Sequence, residues 1–228
     1  MVQVPKSYWA RVEQVGREVY ASGQFPNLDE QAGPAYFEGL SLSRWLFWRR
    51  LSLAAGHVSV DSPGRCLDFG CGFGLLLPLL REHFAQVVGV DLNPDLARAF
   101  LSRWDRALGR PGAPVEVFCD LKSARIGEGS LDLVLALDVL EHVDDLEEVL
   151  RGLHSLLRPG GILLVTGPTE SRWYRLGRRL VGFSGDYHRW NIYDVLTAMQ
   201  GLFEVKIVRR LPVLCPLFVF ATGTRTGG

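Results

Sequence analysis

At 228 residues, with 47% hydrophobic content and 25 basic against 25 acidic residues, the chain has enough apolar matter for one generous domain and carries no net charge. That balance speaks against a nucleic-acid polymer as partner. Cys66, Cys71, Cys119 and Cys215 lack the paired spacing of a zinc site and read as reduced thiols of a cytoplasmic protein. There is also no apolar run of membrane-spanning length.

The first 60 residues read as a helical lead packed on the rest, with helical spacing from Ser7 to Ala21 and from Tyr36 to Val58 and breaks at Pro26 and Gly33-Pro34. The second helix carries Trp45, Phe47, Trp48, Leu51 and Leu53, a broad apolar surface expected to cover the body of the domain. From Arg65 the pattern changes to strands alternating with helices: Cys66–Phe69, Leu75–His83, Val87–Asp91, Asp95–Trp104, Val115–Phe118, Leu131–Leu137, Leu146–Leu157 and Ile162–Thr166. Such alternation implies a mainly parallel sheet with helices on both faces over residues 61–222. Arg158-Pro159-Gly160-Gly161 reads as a tight helix-to-strand turn. After Pro168 come an arginine-rich stretch, Arg172–Arg179, and a polar loop, Ser184–Trp190, then a helix from Ile192 to Gln200. Two closing strands, Phe203–Arg210 and Leu214–Ala221, are too close for a crossover helix and must be antiparallel, with Thr222–Gly228 expected to fray.

The chemistry concentrates in Leu67-Asp68-Phe69-Gly70-Cys71-Gly72-Phe73-Gly74, followed by Val87-Val88-Gly89-Val90-Asp91. This is strand, glycine turn, helix, strand and acidic tip, a nucleoside-binding corner. Glycines let a ligand approach the main chain, and the helix that follows offers free amides. Asp91, about 20 residues beyond Gly70 at the end of the next strand, stands where a carboxylate accepts from ribose hydroxyls, or where it caps the helix beginning at Asn93-Pro94. The dinucleotide fingerprint G-x-G-x-x-G fails, because Leu75 takes the place of its third glycine. Asp68 beside the turn would repel a dinucleotide phosphate and could hold an ammonium.

This set resembles the class I S-adenosylmethionine-dependent methyltransferases, whose first motif, acidic-x-G-x-G-x-G, is met by Asp68, Gly70, Gly72 and Gly74. The resemblance continues through Asp91, Cys119-Asp120-Leu121, Asp132–Ala136, Asp138-Val139-Leu140-Glu141-His142-Val143 and Leu157–Gly161, and is strong over residues 64–168. It implies a doubly wound α/β fold of seven strands in the order 3-2-1-4-5-7-6, strand 7 antiparallel, with the helical lead as an extension. It implies S-adenosylmethionine as donor and S-adenosylhomocysteine as product. Gly70, Cys71 and Gly72 would pass the methionine part, with Asp68 beside them; Asp91 and Leu92 would meet the ribose and its surroundings. Asp120 would face the adenine amino group or serve only as a turn residue, and Leu121 would offer its amide to an adenine nitrogen. Asp138 would line the methionine and substrate side; it and Glu141 are alternatively solvated or capping.

No DPPY-type tetrapeptide follows the fourth strand, which favours a small-molecule or lipid-like acceptor methylated at oxygen or carbon. A hydroxyl or carbon-acid acceptor needs a general base, whereas a carboxylate acceptor needs none. His188, with Tyr187 orienting the acceptor, is the first candidate, or an ordinary loop histidine; His142 is the second, or a structural histidine. Arg172–Arg179 is a solvated helix face, a site for an anionic acceptor, or a peripheral membrane contact of an otherwise cytoplasmic protein. The rival functions are an NAD-dependent oxidoreductase and a non-catalytic cofactor-binding protein.

Overall fold

The computed structural model describes residues 4–25, 28, 33–38, 41–58, 64–109, 112–169, 189–212 and 216–227, with 41–43 as backbone only. In chain order the elements are α1 (Lys6–Tyr20), α2 (Gly33–Phe37), α3 (Ser41–Ala55), β1 (Arg65–Phe69), α4 (Leu77–His83), β2 (Gln86–Val90), α5 (Pro94–Leu108), β3 (Val115–Phe118), α6 (Leu121–Ala124), β4 (Leu131–Leu137), a 3-10 turn (Leu140–His142), α7 (Leu146–Leu156), β5 (Leu157–Pro168), α8 (Ile192–Gln200), β6 (Glu204–Leu211) and β7 (Phe218–Thr224). The strands form a seven-stranded sheet of order β3-β2-β1-β4-β5-β7-β6, the order the resemblance implies. The chain divides into two compact units, Met1–Gly64 with Cys71–Ala124, and Arg65–Gly70 with Arg125–Gly228.

In the first unit the helical lead shares its core with β2, α5 and β3. Val12, Val15, Gly16 and Val19 fall at i, i+3, i+4 and i+7 on α1 and are all buried, the stripe a one-sided helix needs. Leu96, Ala97, Phe100, Leu101 and Trp104 form the matching stripe on α5, which Pro94 opens in the first turn and left-handed Gly109 closes. The Tyr8 ring lies 5.3 Å from that of Trp104. β2 and β3 are parallel, with Val87 opposite Val115 and Val90 opposite Phe118. The helix expected over Tyr36–Val58 is two helices instead, α2 ending at Phe37 and α3 starting at Ser41.

In the second unit β1, β4 and β5 run parallel, and β7 lies antiparallel between β5 and β6. Leu67, Val134, Leu135, Ala136, Leu163, Leu164 and Val165 are wholly buried, as continuous apolar runs in a two-sided parallel sheet must be. Asp145 caps α7 by accepting from the Glu148 amide at 2.8 Å, and Asn191 with Asp194 forms a capping box on α8.

Two expectations are corrected here. Arg158–Gly161 does not precede the strand: it is a bulge within β5, opposite Asp132 between the pairs Leu131–Leu157 and Leu133–Ile162, and Gly160, at φ +76°, supplies the backbone angle expected of a glycine there. Arg158 Nε donates to Asp132 Oδ1 at 2.7 Å and the Arg65 amide to Oδ2 at 2.7 Å; burial raises the Asp132 pKa, but these donors outweigh it and the net shift is downward. Nor does the tail fray from Thr222. Thr222–Thr224 pair within β7, the Arg225 amide donates to Gly161 O at 2.9 Å, and its guanidinium reaches the carbonyls of His154, Ser155 and Leu157 at the end of α7. An arginine on the orphan carbonyls of a helix C-terminus satisfies both hydrogen bonding and the helix dipole.

Candidate cofactor and active site

The three glycines of the turn are glycine for three different reasons. All lie at positive φ: Gly70 at +75°, Gly72 at +52° and Gly74 at +72°. A Cβ on Gly70 would stand 2.4 Å from Val139 Cγ2 and 2.5 Å from Val139 Cβ, so this residue is bare to admit the chain's own residue after β4. At Gly74 a Cβ would meet Leu77 at 2.8 Å and Ala97 at 3.0 Å, so that position serves the packing of α4 and α5. Among the described residues, a Cβ on Gly72 would meet nothing within 4 Å. Of the three glycines, Gly72 is the one whose surroundings leave room for a ligand beside the backbone.

Asp91, one residue beyond β2, holds the same turn. Its Oδ2 accepts from the Gly72 amide at 2.7 Å and its Oδ1 from the Asn93 amide at 3.0 Å. It thus braces both the glycine turn and the start of α5. A carboxylate offers about four acceptor positions, so this bracing is compatible with accepting from a ribose diol. The Cys71 amide donates to Val90 O at 3.1 Å, which ties the turn to the end of β2, and Cys71 Sγ would lie 3.2 Å from a Cβ on Gly89. Leu92 is 95% exposed beside Asp91, a large apolar side chain left for something to cover.

Asp120 lies at the end of β3 and is exposed. Its Oδ1 accepts from the Ser123 amide at 2.7 Å; Oδ2 accepts from the Cys119 thiol at 3.2 Å and the Ser123 hydroxyl at 2.9 Å. The Ser123 amide first, then the Cys119 thiol and Ser123 hydroxyl, hold its carboxyl below the usual range. It caps α6, and an ionised acceptor remains at the strand end. Leu121 is the first residue of α6, where no carbonyl one turn earlier exists to take its amide.

In the second unit, Asp68 is buried on β1 opposite Leu135 of β4. Cys66 below it is pushed far up in pKa, chiefly by burial and then by Asp68, so that thiol is inert. Asp138, just past β4, has φ +53°, a left-handed conformation unusual for any residue but glycine, and its amide donates to Thr166 O at 3.1 Å. Such strain at a strand end is characteristic of ligand sites. Thr166 is buried, and its Oγ1 has no hydrogen-bond partner among the described residues. Within the first unit, the open space at Gly72 and the carboxylates at the ends of two strands fit a polar nucleoside ligand.

Sequence reasoning missed four features. Val139, as the cause of Gly70, carries no local signal. Glu141, read as solvated or capping, is buried instead, and its carbonyl accepts from the Arg189 amide at 2.8 Å. The Trp190 indole donates to Val143 O at 3.0 Å, so residues 189–190 dock on the 3-10 turn. Phe73, between Gly72 and Gly74, is buried against Phe37 of α2 at 5.2 Å and Tyr20 of α1 at 6.5 Å, which joins the helical lead to the cofactor turn. His142 is exposed on the 3-10 turn. Tyr187, His188 and Arg172–Arg179 lie outside the described residues.

The model of a methyltransferase domain matches residues 41–204, well over half of the chain. A ubiquinone biosynthesis O-methyltransferase of Xanthomonas campestris pv. campestris is 36% identical over 118 residues, 51% of this chain and 48% of that protein. The chain thus matches about half the length of such curated relatives. Among solved structures, a protein of Pyrococcus horikoshii superposes with a TM-score of 0.65 at 17% identity, over 85% of this chain and 96% of that one. The N-methyltransferase NodS of Bradyrhizobium japonicum, solved with S-adenosylhomocysteine, gives 0.60 at 15% identity over 95% and 100%. At such identities these structures speak for the fold. The family match, reaching from α3 through β5 and α8 with the acidic glycine turn inside it, places this chain in the class I S-adenosylmethionine-dependent methyltransferase family.

Proposed function

We propose that the protein transfers a methyl group from S-adenosylmethionine to a hydroxyl oxygen of a small or lipid-like acceptor. The observation that carries the oxygen assignment is the likeness to relatives named O-methyltransferases of ubiquinone biosynthesis. The absence of a DPPY-type sequence after β4, where Asp138-Val139-Leu140-Glu141 stands, supports the same reading.

Asp91 would accept from the ribose hydroxyls and Leu92 would cover the adenosine. Asp120 would accept from the adenine amino group while the Leu121 amide donates to the ring. Gly70, Cys71, Gly72, Asp68 and Asp138 would surround the methionine part. S-adenosylmethionine supplies a methyl already activated by its sulfonium. The protein's task is to orient an acceptor oxygen, exclude water and remove one proton. Among the described residues, the exposed imidazole of His142 is the candidate to take that proton. The test is full-length protein with methyl-labelled S-adenosylmethionine and three acceptors: a catechol bearing a short prenyl chain, the matching aniline and the matching benzoate. Label is expected in the catechol ether. Label in the aniline alone, or none despite binding of S-adenosylhomocysteine, overturns the reading. Stabilisation by NAD instead would favour the oxidoreductase.

A further inference from the structure

The most distinctive surface outside the cofactor corner lies on the helical lead. An open groove of about 370 Å³ runs between α1 and α3, lined by Lys6, Trp9, Ala10, Glu13, Arg44, Trp45 and Trp48. Three of the chain's six tryptophans are gathered there. Trp45 is 55% exposed. On α3 the buried side is Leu46, Arg50, Leu51, Ala54 and Ala55, while Trp45, Trp48, Arg49 and Ser52 fall at i, i+3, i+4 and i+7 on the other. That second stripe is aromatic and cationic. α3 holds Arg44, Arg49 and Arg50 and no acid. Glu13, the acid of the groove, is met by Arg17 at 2.9 Å, which leaves Lys6 and Arg44 to set the sign of the surface. The groove is anchored from below, since the Trp48 indole donates to Tyr36 O at 3.2 Å and its ring stands edge-on to Trp9 at 6.2 Å.

We propose that this α1–α3 face docks the protein on the surface of an anionic lipid bilayer. Indole rings settle at the boundary of headgroup and acyl chain, apolar body inward and N–H toward water, and basic side chains beside them meet anionic headgroups. No helix among the described residues is long and apolar enough to cross a membrane, so α3 lies in the interface. A second copy of the chain fits less well, because a two-fold pairing would bring one cationic face, with Lys6, Arg44 and Arg49, against another of the same sign. The proposal goes beyond the acceptor reading and does not depend on it.

The experiment is co-sedimentation of full-length protein with vesicles of phosphatidylcholine and phosphatidylglycerol, and with phosphatidylcholine alone. It is run at low salt and at about 1 M salt, where charge interactions reach only ~3 Å. Binding is expected to the anionic vesicles alone, released by salt. Trp45→Ser with Arg44→Glu should lower it roughly tenfold or more, and Arg49→Glu alone should lower it by a smaller factor. Both variants should keep the thermal shift given by S-adenosylhomocysteine, which certifies the fold and leaves the cofactor corner as it was. Absence of wild-type binding overturns the proposal, as does equal binding by both variants. It is also overturned if binding is lost only on reversing Arg172 and Arg175, which assigns the contact to that segment. If the variants change self-association in sedimentation velocity and not vesicle binding, the face belongs to a second copy.

Discussion

Gly70→Ala should unfold the protein far more readily than Gly72→Ala, although both residues belong to one turn and both lie at positive φ. Left-handed backbone costs an ordinary residue roughly 1–2 kcal/mol, and that term is common to both. At Gly70 the new methyl also falls 2.4 Å from Val139 Cγ2 and 2.5 Å from its Cβ. Overpacking of this kind adds about 1–3 kcal/mol, giving a total of ~2–5 kcal/mol. At Gly72 nothing among the described residues lies within 4 Å. At both positions the alanine also stiffens the unfolded chain, which gives back about 0.4–1 kcal/mol, so the net cost is roughly 1–4.5 kcal/mol at Gly70 and roughly 0–1.5 kcal/mol at Gly72. In a chain of this size each kcal/mol moves Tm by roughly 2–4 °C. Urea unfolding of both variants reads the difference, and titration with S-adenosylhomocysteine reads the inverse order: Gly72→Ala, folded, should bind at least ~10-fold more weakly, since its methyl takes space meant for ligand. A double-mutant cycle isolates the cause. In a Val139→Gly background, which removes the clashing Cβ as well as the methyls, Gly70→Ala should cost at least ~1 kcal/mol less. Equal losses of stability for the two alanines, or an unchanged cost of Gly70→Ala in that background, would refute the reasoning.

Two further outcomes follow from named contacts. Phe37 is buried between Tyr20, Tyr36, Trp48 and Phe73, so Phe37→Ala should cost about 3–5 kcal/mol in urea unfolding; Phe37→Leu, which keeps much of the volume, should cost clearly less, and equal costs would mean that the ring contacts do not set the packing. The His154 pKa is lowered from its ordinary 6.5, first by burial and then by Arg225, so between that value and the lower folded one the unfolded chain binds the extra proton. Stability is therefore full above about 6.5, falls as pH drops through that window and levels off below the folded pKa; His154→Gln should abolish this slope in Tm against pH, and an identical slope in the variant would assign it elsewhere.

The sheet was legible because its central strands are uninterrupted apolar runs, such as Leu133–Leu137 and Ile162–Val165, and because the short link after Arg210 admits only an antiparallel return. The positions of Asp68, the glycines and Asp91 at strand ends and in the turn were legible because β1, α4 and β2 follow one another directly in the sequence. What could not be read depends on partners distant in sequence. Val139 explains Gly70 across 69 positions of chain, and Arg225 closes the end of α7 only because β7 brings it there. The bulge at Arg158–Gly161 is a matter of register against Asp132, which turn residues alone do not reveal. Glu141 has a polar side chain in a polar sequence, and its burial follows from the return of Arg189 and Trp190 onto the 3-10 turn.

The most direct test of the donor assignment is calorimetric titration of the full chain with S-adenosylhomocysteine and, separately, with NAD, repeated on Asp91→Ala. The account predicts one-site binding of S-adenosylhomocysteine, no binding of NAD, and a loss of roughly 10- to 100-fold in Asp91→Ala, as expected when charge-assisted hydrogen bonds worth about 1.5–3 kcal/mol are removed. Binding of NAD in place of S-adenosylhomocysteine, or an affinity for the latter that is indifferent to Asp91, would contradict it.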